Sequence, residues 1–220
     1  MSLFTGKGDS GTTKVFGCDQ RISKSSNIAE ALGSLDEINS FLGLCKVQST
    51  YLGYKLGETS LAEMVHEMQQ NLFIIQAELA GADKTISGDK VKELEEIISR
   101  IEKTLPPIKS FFISGGPADI TKWQLSGAGL GAMFDIARTI ARRAERRVIA
   151  VAEEVSQLKL PISGEESTST NSSVGKTRSI AGNVNKHTKA YLNRLSSVLY
   201  ALARYSNHLS GIEEEAPDYR

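Results

Sequence analysis

The stretch ARTIARRAERR, residues 137–147, carries a dense cluster of positive charge. In a helix, Arg138, Arg142 and Arg146 are four residues apart and therefore share one face. Glu145 joins this face and is the only acid in the stretch, so few of the arginines can be paired within the helix. Guanidinium groups bind phosphate oxygens in a bidentate manner. The spacing therefore favours a triphosphate-binding face, with a solvated charged face as the alternative.

A second candidate for phosphate binding is residues 5–17, TGKGDSGTTKVFG. Its glycines, threonines and lysines can present backbone N–H groups, hydroxyls and ammonium groups to a polyphosphate. The spacing does not fit a Walker A loop, which needs Gly-Lys-Ser/Thr after a glycine and four further residues. Taken alone, the segment is either a polyphosphate-binding loop or a flexible tail, and the tail is the more common reading of such a composition.

Polar residues stand out in two of the apolar helical patterns. Asp36 adjoins the apolar stripe of the first predicted helix, where an unpaired carboxylate would be costly to bury. Asp36 therefore either faces solvent or meets an arginine from another helix. In the last predicted helix, Asn193 and Arg194 interrupt an apolar start. The surroundings of Asp36 and the start of the last predicted helix are therefore candidates for a binding site.

The sequence predicts no metal site made of protein ligands. Glu63 and His66 have the Glu-x-x-His spacing of di-iron bundles. Such a site needs two of these motifs, and neither His187 nor His208 has a glutamate three residues before it. A di-iron reading is therefore disfavoured.

Composition excludes several classes of protein. The 26 basic and 26 acidic side chains among 220 residues argue against bulk electrostatic binding to nucleic acid. Two cysteines, Cys18 and Cys45, cannot form a disulfide framework, which fits a reducing compartment. No apolar run approaches the roughly 20 residues of a membrane span. We expect a cytoplasmic protein, or a mitochondrial matrix protein if a transit peptide has been removed.

Five segments have the apolar spacing of amphipathic helices, and strand-like alternation is nearly absent. The pattern predicts an all-α fold, a five-helix antiparallel bundle that forms one domain over residues 1–220. Residues 161–182 are rich in Ser, Thr and Gly and are predicted to be a flexible insertion. The predicted helices cover residues 28–42, 61–82, 91–105, 130–158 and 184–209.

Taken together and in order, these segments resemble the PduO-type ATP:cob(I)alamin adenosyltransferases. The resemblance covers most of the chain and rests on TGKGDSGTT, Lys24, EALGSLDEINSFLG, KSFFISGG, ARTIARRAERR and YLNRLSSVLYALARYSNH. It implies an enzyme that transfers the 5′-deoxyadenosyl group of ATP to the cobalt of cob(I)alamin, giving adenosylcobalamin and triphosphate. One alternative is a non-catalytic ATP-binding relative that acts as a sensor or delivers the cofactor. Another is a helical scaffold without a ligand.

The resemblance also implies roles for individual residues. Asp36 would form an ion pair with Arg138 on the corrin side of the site. Phe111 would crowd the lower face of cobalt and displace its axial ligand. The predicted catalytic residues are Asp36, Arg138, Phe111 and Arg142. The predicted ATP-binding residues are Thr5, Gly6, Lys7, Gly8, Thr13, Lys14, Lys24, Arg142, Arg143, Glu145, Arg146 and Asn193.

The implied ligands are ATP, Mg²⁺ and reduced cobalamin, and the implied assembly is a homotrimer with ATP at the subunit interface. A reductase that supplies Co(I) and an acceptor of adenosylcobalamin are the implied partners, with no role for nucleic acid or membrane. The protein would supply no nucleophile, since Co(I) itself attacks the ribose C5′. The chain departs from the family pattern by extra residues between Gly116 and Leu130, and by Asp135, where many relatives have His.

Overall fold

A computed structural model of the protein describes residues 4–15, 21–108, 110, 112–115, 127–158 and 184–219. The predicted all-α, five-helix fold is confirmed. The predicted insertion at 161–182 lies outside the described residues. The helices are α1 (Asn27–Leu52), α2 (Leu61–Leu79), α3 (Gly88–Thr104), α4 (Gly127–Leu158) and α5 (Lys186–Leu209). Two short hairpins pair β1 (Thr12–Lys14) with β2 (Arg21–Ser23) and β3 (Lys55–Leu56) with β4 (Thr59–Ser60).

The helix ends have identifiable local causes. Helix α1 continues well beyond residue 42 and ends at Gly53, whose φ of 65° lies in the left-handed region that favours glycine. Helix α2 begins with a capping box in which Ser60 and Glu63 bond each other's backbone N–H groups. The backbone hydrogen bond from Ser60 lowers the pKa of Glu63. Helix α3 ends just before the two prolines at 106 and 107, as predicted.

The helices pack in the spatial order α2, α1, α4, α5, α3. Helix α4 therefore lies between α1 and α5, and its contacts with α5 are the most extensive in the bundle. One hydrophobic core runs through all five helices. Among the described helices, none has both the length and the apolar composition that a bilayer crossing requires.

A row of small residues determines the orientation of α4. Ala137, Ala141 and Ala144 are completely buried, at spacings of four and three residues. Small side chains let the neighbouring helices approach closely. Arg138 and Arg142 each follow one of these alanines, so burying the alanines places both arginines at the edge of the helix interface.

Helix α5 is tied to the rest of the bundle by a carboxylate from α2. Glu78 is 7% exposed and accepts two hydrogen bonds of 2.6 Å, from the backbone N–H of Asn185 and from the hydroxyl of Thr188. Both donors lie at the N-terminus of α5, where the helix dipole favours a negative charge. Glu78 therefore caps a helix that is distant in sequence.

The variant Glu78→Gln is expected to lower the free energy of unfolding by about 1–3 kcal/mol, because the capping hydrogen bonds lose their charge assistance. Urea unfolding followed by circular dichroism measures this as a lower midpoint at an unchanged slope. Glu96→Gln, at an exposed position on α3, is the matched control and should change stability by less than about 0.5 kcal/mol. Equal midpoints for the two variants would contradict the capping role.

Candidate functional site

The N-terminal loop folds into two tight turns that lead into the β1–β2 hairpin. The N–H of Asp9 donates to the Gly6 carbonyl at 3.2 Å, and the N–H of Gly11 donates to the Gly8 carbonyl at 3.1 Å. Gly6 and Gly11 have φ values of 65° and 79°, which are strained for other residues. The loop is therefore a defined structure rather than a featureless tail.

Lys24 returns to this loop from the far side of the hairpin. Its backbone N–H donates to the Gly11 carbonyl at 2.9 Å. Its ammonium group lies over Gly8, where an added Cβ would be 3.2 Å from Nζ. The structure thus brings Lys24 together with the predicted loop residues. The other predicted ATP-binding residues of the N-terminal segment lie on this loop and hairpin: Thr5, Lys7, Thr13 and Lys14.

The arginines of α4 divide between its two neighbouring helices. On the side of α1, Arg143 forms an ion pair with Glu37, and Arg147 forms one with Glu30 at 3.4 Å. On the side of α5, Arg138 lies over the ring of Tyr200, 5.9 Å from its centroid. The two sides follow from helical periodicity, since positions 143 and 147 lie opposite position 138 around the helix.

Arg142 and Arg146 are exposed and form neither an ion pair nor a hydrogen bond with any described residue. Next to them, the Asn193 amide of α5 donates to Glu145 at 3.0 Å. Arg194 in turn donates to the side-chain amide oxygen of Asn193, Oδ1, at 2.7 Å. Two cationic groups that lack partners among the described residues, beside a hydrogen-bonded Glu–Asn pair, form a face that can bind an oxyanion.

The predicted pair of Asp36 and Arg138 does not form within one chain. Asp36 is exposed and has no ion-pair partner among the described residues. Arg138 pairs instead with Asp135, three residues earlier on α4, with 2.6 Å between Nε and Oδ1. An i, i+3 neighbour needs no second helix, which is why this pairing is the one available in a single chain.

Arg138 and Arg142 also line a cavity of about 640 Å³. Its walls come from α4, α5, the described residues between 108 and 115, and Glu214 of the C-terminal tail. The Ser114 hydroxyl hydrogen-bonds to Asp135 and so connects the 112–115 segment to α4. Phe111, the predicted corrin-side residue, lies outside the described residues.

The cavity wall includes residues that sequence patterns did not reveal. Burial raises the pKa of Tyr200 above its usual value. Arg204 is buried to 7% exposure, although the apolar stretch YALARYSN around it gives no indication of its partner. The side-chain amide oxygen of Asn207, Oδ1, is buried without a hydrogen-bond donor among the described residues. The only available signal was a polar side chain in an otherwise apolar helix.

Comparison with known proteins identifies relatives along almost the whole chain. A family model described as cobalamin adenosyltransferase matches residues 3–206. A corrinoid adenosyltransferase from Citrobacter freundii is 30% identical over 223 residues, which cover 98% of this chain and 97% of the relative. One from Bacillus subtilis is 31% identical over 218 residues, with 96% and 90% coverage.

Corrinoid adenosyltransferase PduO from Salmonella typhimurium is 31% identical over 211 residues, or 93% of this chain. This chain spans about half the length of the PduO relatives, 49% in that case. Among solved structures, a variant PduO-type ATP:corrinoid adenosyltransferase from Lactobacillus reuteri, complexed with cobalamin and ATP, aligns with a TM-score of 0.72. The identity is 25%, and the alignment covers 98% of this chain and 99% of that one.

The variant Arg142→Ala is expected to weaken binding of inorganic tripolyphosphate by at least about tenfold, because a charge-assisted contact is lost. The melting temperature should be unchanged, since Arg142 has no partner within the described chain. Isothermal titration calorimetry and thermal unfolding measure the two quantities. Arg147→Ala, which removes an arginine paired with Glu30, is the control and should retain the affinity.

Proposed function

Because the chain belongs to the cobalamin adenosyltransferase family, we propose that it transfers the 5′-deoxyadenosyl group of ATP to the cobalt of cob(I)alamin. The products are adenosylcobalamin and triphosphate. The observation that supports this proposal best is the position of Arg142. Its guanidinium has no ion-pair or hydrogen-bond partner among the described residues, lies beside Arg146 and the Asn193–Glu145 pair, and also lines the 640 Å³ cavity. One residue thus joins an anion-binding face to a space for a second substrate.

The reaction requires the protein to bind and orient rather than to attack. Co(I) forms the new bond to C5′, and the C5′–O bond to triphosphate breaks with its electron pair going to oxygen. Negative charge therefore grows on the leaving triphosphate. Arg142 and Arg146 are placed to stabilise this charge without giving up any ion pair within the described chain. The glycine loop and Lys24 would hold the rest of the triphosphate.

Mg²⁺ is proposed to enter bound to the phosphates of ATP. This ion keeps several waters and is usually held by substrate phosphates with one or two carboxylates. The described residues contain no group of three or more metal-ligating side chains. Glu145, already ordered by Asn193, is the carboxylate nearest the arginines in sequence and would orient the magnesium–nucleotide complex.

The assembly is proposed to be a homotrimer, with the Asp36–Arg138 pair formed between subunits. Leu44, Val47 and Tyr51 are 48%, 66% and 66% exposed and lie on one face of α1. Asp36, two to four turns earlier, lies on the same face and has no ion-pair partner in the part of the chain that the structure describes. An apolar stripe that ends in a lone carboxylate suits contact with a second copy of the chain.

The activity is tested by mixing the protein with cob(I)alamin, ATP and Mg²⁺ without oxygen, and following the Co(I) absorbance and released triphosphate. We expect equal amounts of adenosylcobalamin and triphosphate. Arg142→Ala should lower kcat/KM at least about tenfold, and Arg147→Ala should not.

The assay also separates the alternatives. ATP binding without any adenosylated product would contradict the transferase and favour a nucleotide-binding relative that has lost turnover. Pairing of Arg138 with Asp135, which engages the arginine predicted to meet Asp36, is the observation that favours this second candidate. Absence of both ATP binding and product would favour a scaffold.

The trimer is tested with Val47→Asp, which puts a charge into the apolar stripe of α1. Light scattering during gel filtration should give three times the chain mass for the native protein and a lower mass for the variant. Ser99→Asp, at an exposed position on α3, is the matched control and should remain a trimer. A native mass equal to one chain would contradict the proposed assembly.

A further inference from the structure

We propose that Arg204 and the C-terminal tail, residues 212–219, act as a clamp that positions residues 112–115 at the cavity wall. The clamp would determine the affinity for the corrinoid and leave the affinity for ATP unchanged. Arg204 and Glu214 are thus positioning residues. This inference rests on the proposed function, because it assigns the cavity to the corrinoid.

The Arg204 side chain gathers three separate parts of the chain. Its Nε donates to Glu214 Oε2 at 2.8 Å, and its Nη2 donates to the Pro106 carbonyl at 3.3 Å. The guanidinium carbon also lies 5.2 Å from the centroid of the Phe112 ring. The side chains of Arg204 and Glu214 are only 8% and 16% exposed, so neither charge is satisfied by bulk water. Loss of one partner would therefore release the other.

The tail also holds the 112–115 segment through its backbone. The N–H of Ile113 donates to the Glu215 carbonyl at 2.8 Å, one residue after the carboxylate that binds Arg204. The described residues between α3 and α4 form no helix or strand that could fix their position. Their placement therefore depends on contacts such as those at Pro106, Phe112 and Ile113.

The clamp lies on the cavity side of the site. Phe112, Ile113 and Glu214 line the cavity, and Ser114 bonds to Asp135, the partner of Arg138. None of the clamp contacts involves the glycine loop, Arg146 or Asn193. A loosened clamp should therefore change the cavity wall and leave the triphosphate-binding groups in place.

The test compares Glu214→Gln with Glu213→Gln, a neighbouring exposed glutamate of the same tail whose side chain is not one of the Arg204 contacts. In Glu214→Gln, the apparent KM for cob(I)alamin should rise about tenfold while the KM for ATP stays unchanged. Hydrogen exchange at the Ile113 amide should become fast in Glu214→Gln and stay slow in Glu213→Gln. A second variant, Arg204→Lys, keeps the buried charge paired so that the bundle folds. Lys lacks the planar guanidinium group of Arg, which binds several partners at once. We therefore expect the KM for cob(I)alamin to rise and exchange at Ile113 to become faster in this variant as well.

The clamp would be overturned if the KM for cob(I)alamin did not change in Glu214→Gln, or if the KM values for cob(I)alamin and ATP rose equally. Continued protection of the Ile113 amide in Glu214→Gln and Arg204→Lys would also overturn it. These outcomes differ from failure of the proposed function, in which the native protein itself forms no adenosylcobalamin. In that case, binding of cob(II)alamin in the presence of ATP replaces the KM values. A binding constant for cob(II)alamin equal in the native protein and Glu214→Gln would then overturn the clamp.

Discussion

The burial of the alanine row on α4 is the constraint on which the rest of the site depends. Ala137, Ala141 and Ala144 leave no room for the helix to rotate, because any rotation would expose apolar surface and bring arginines into the core. With this face fixed toward the bundle, one flank of α4 meets α1 and the other meets α5. Every arginine of the cluster is then assigned to one flank or to solvent.

This arrangement gives chemically identical side chains different roles. Arg143 and Arg147 neutralise glutamates of α1 and so contribute to helix packing. These pairs are half-exposed, and each is worth little in stability by itself. Their larger effect is to leave the cationic groups on the solvent side, Arg142 and Arg146, without an anion from the described chain. A site for a polyanionic substrate needs such uncompensated charge.

The cavity depends on a different kind of contact. Two of its walls are the helices α4 and α5, whereas the described residues between α3 and α4 have no regular secondary structure. Their position is determined by a few polar contacts, such as the Arg204–Glu214 ion pair and the Ser114–Asp135 hydrogen bond. Local stability is low where buried apolar contacts are few. The two halves of the site thus differ in what holds them: core packing for the arginines, and individual polar bonds for the cavity wall.

The sequence by itself determined the five helices and the shared face of Arg138, Arg142 and Arg146, because both follow from periodicity along one chain segment. It did not give the β1–β2 hairpin or the continuation of α1 to Leu52, where the apolar pattern is weak. Only the tertiary structure decided which arginines pair with glutamates of α1, and that Arg204 binds the tail. These outcomes depend on the rotation and register of one helix against another, and no spacing within a single helix encodes them.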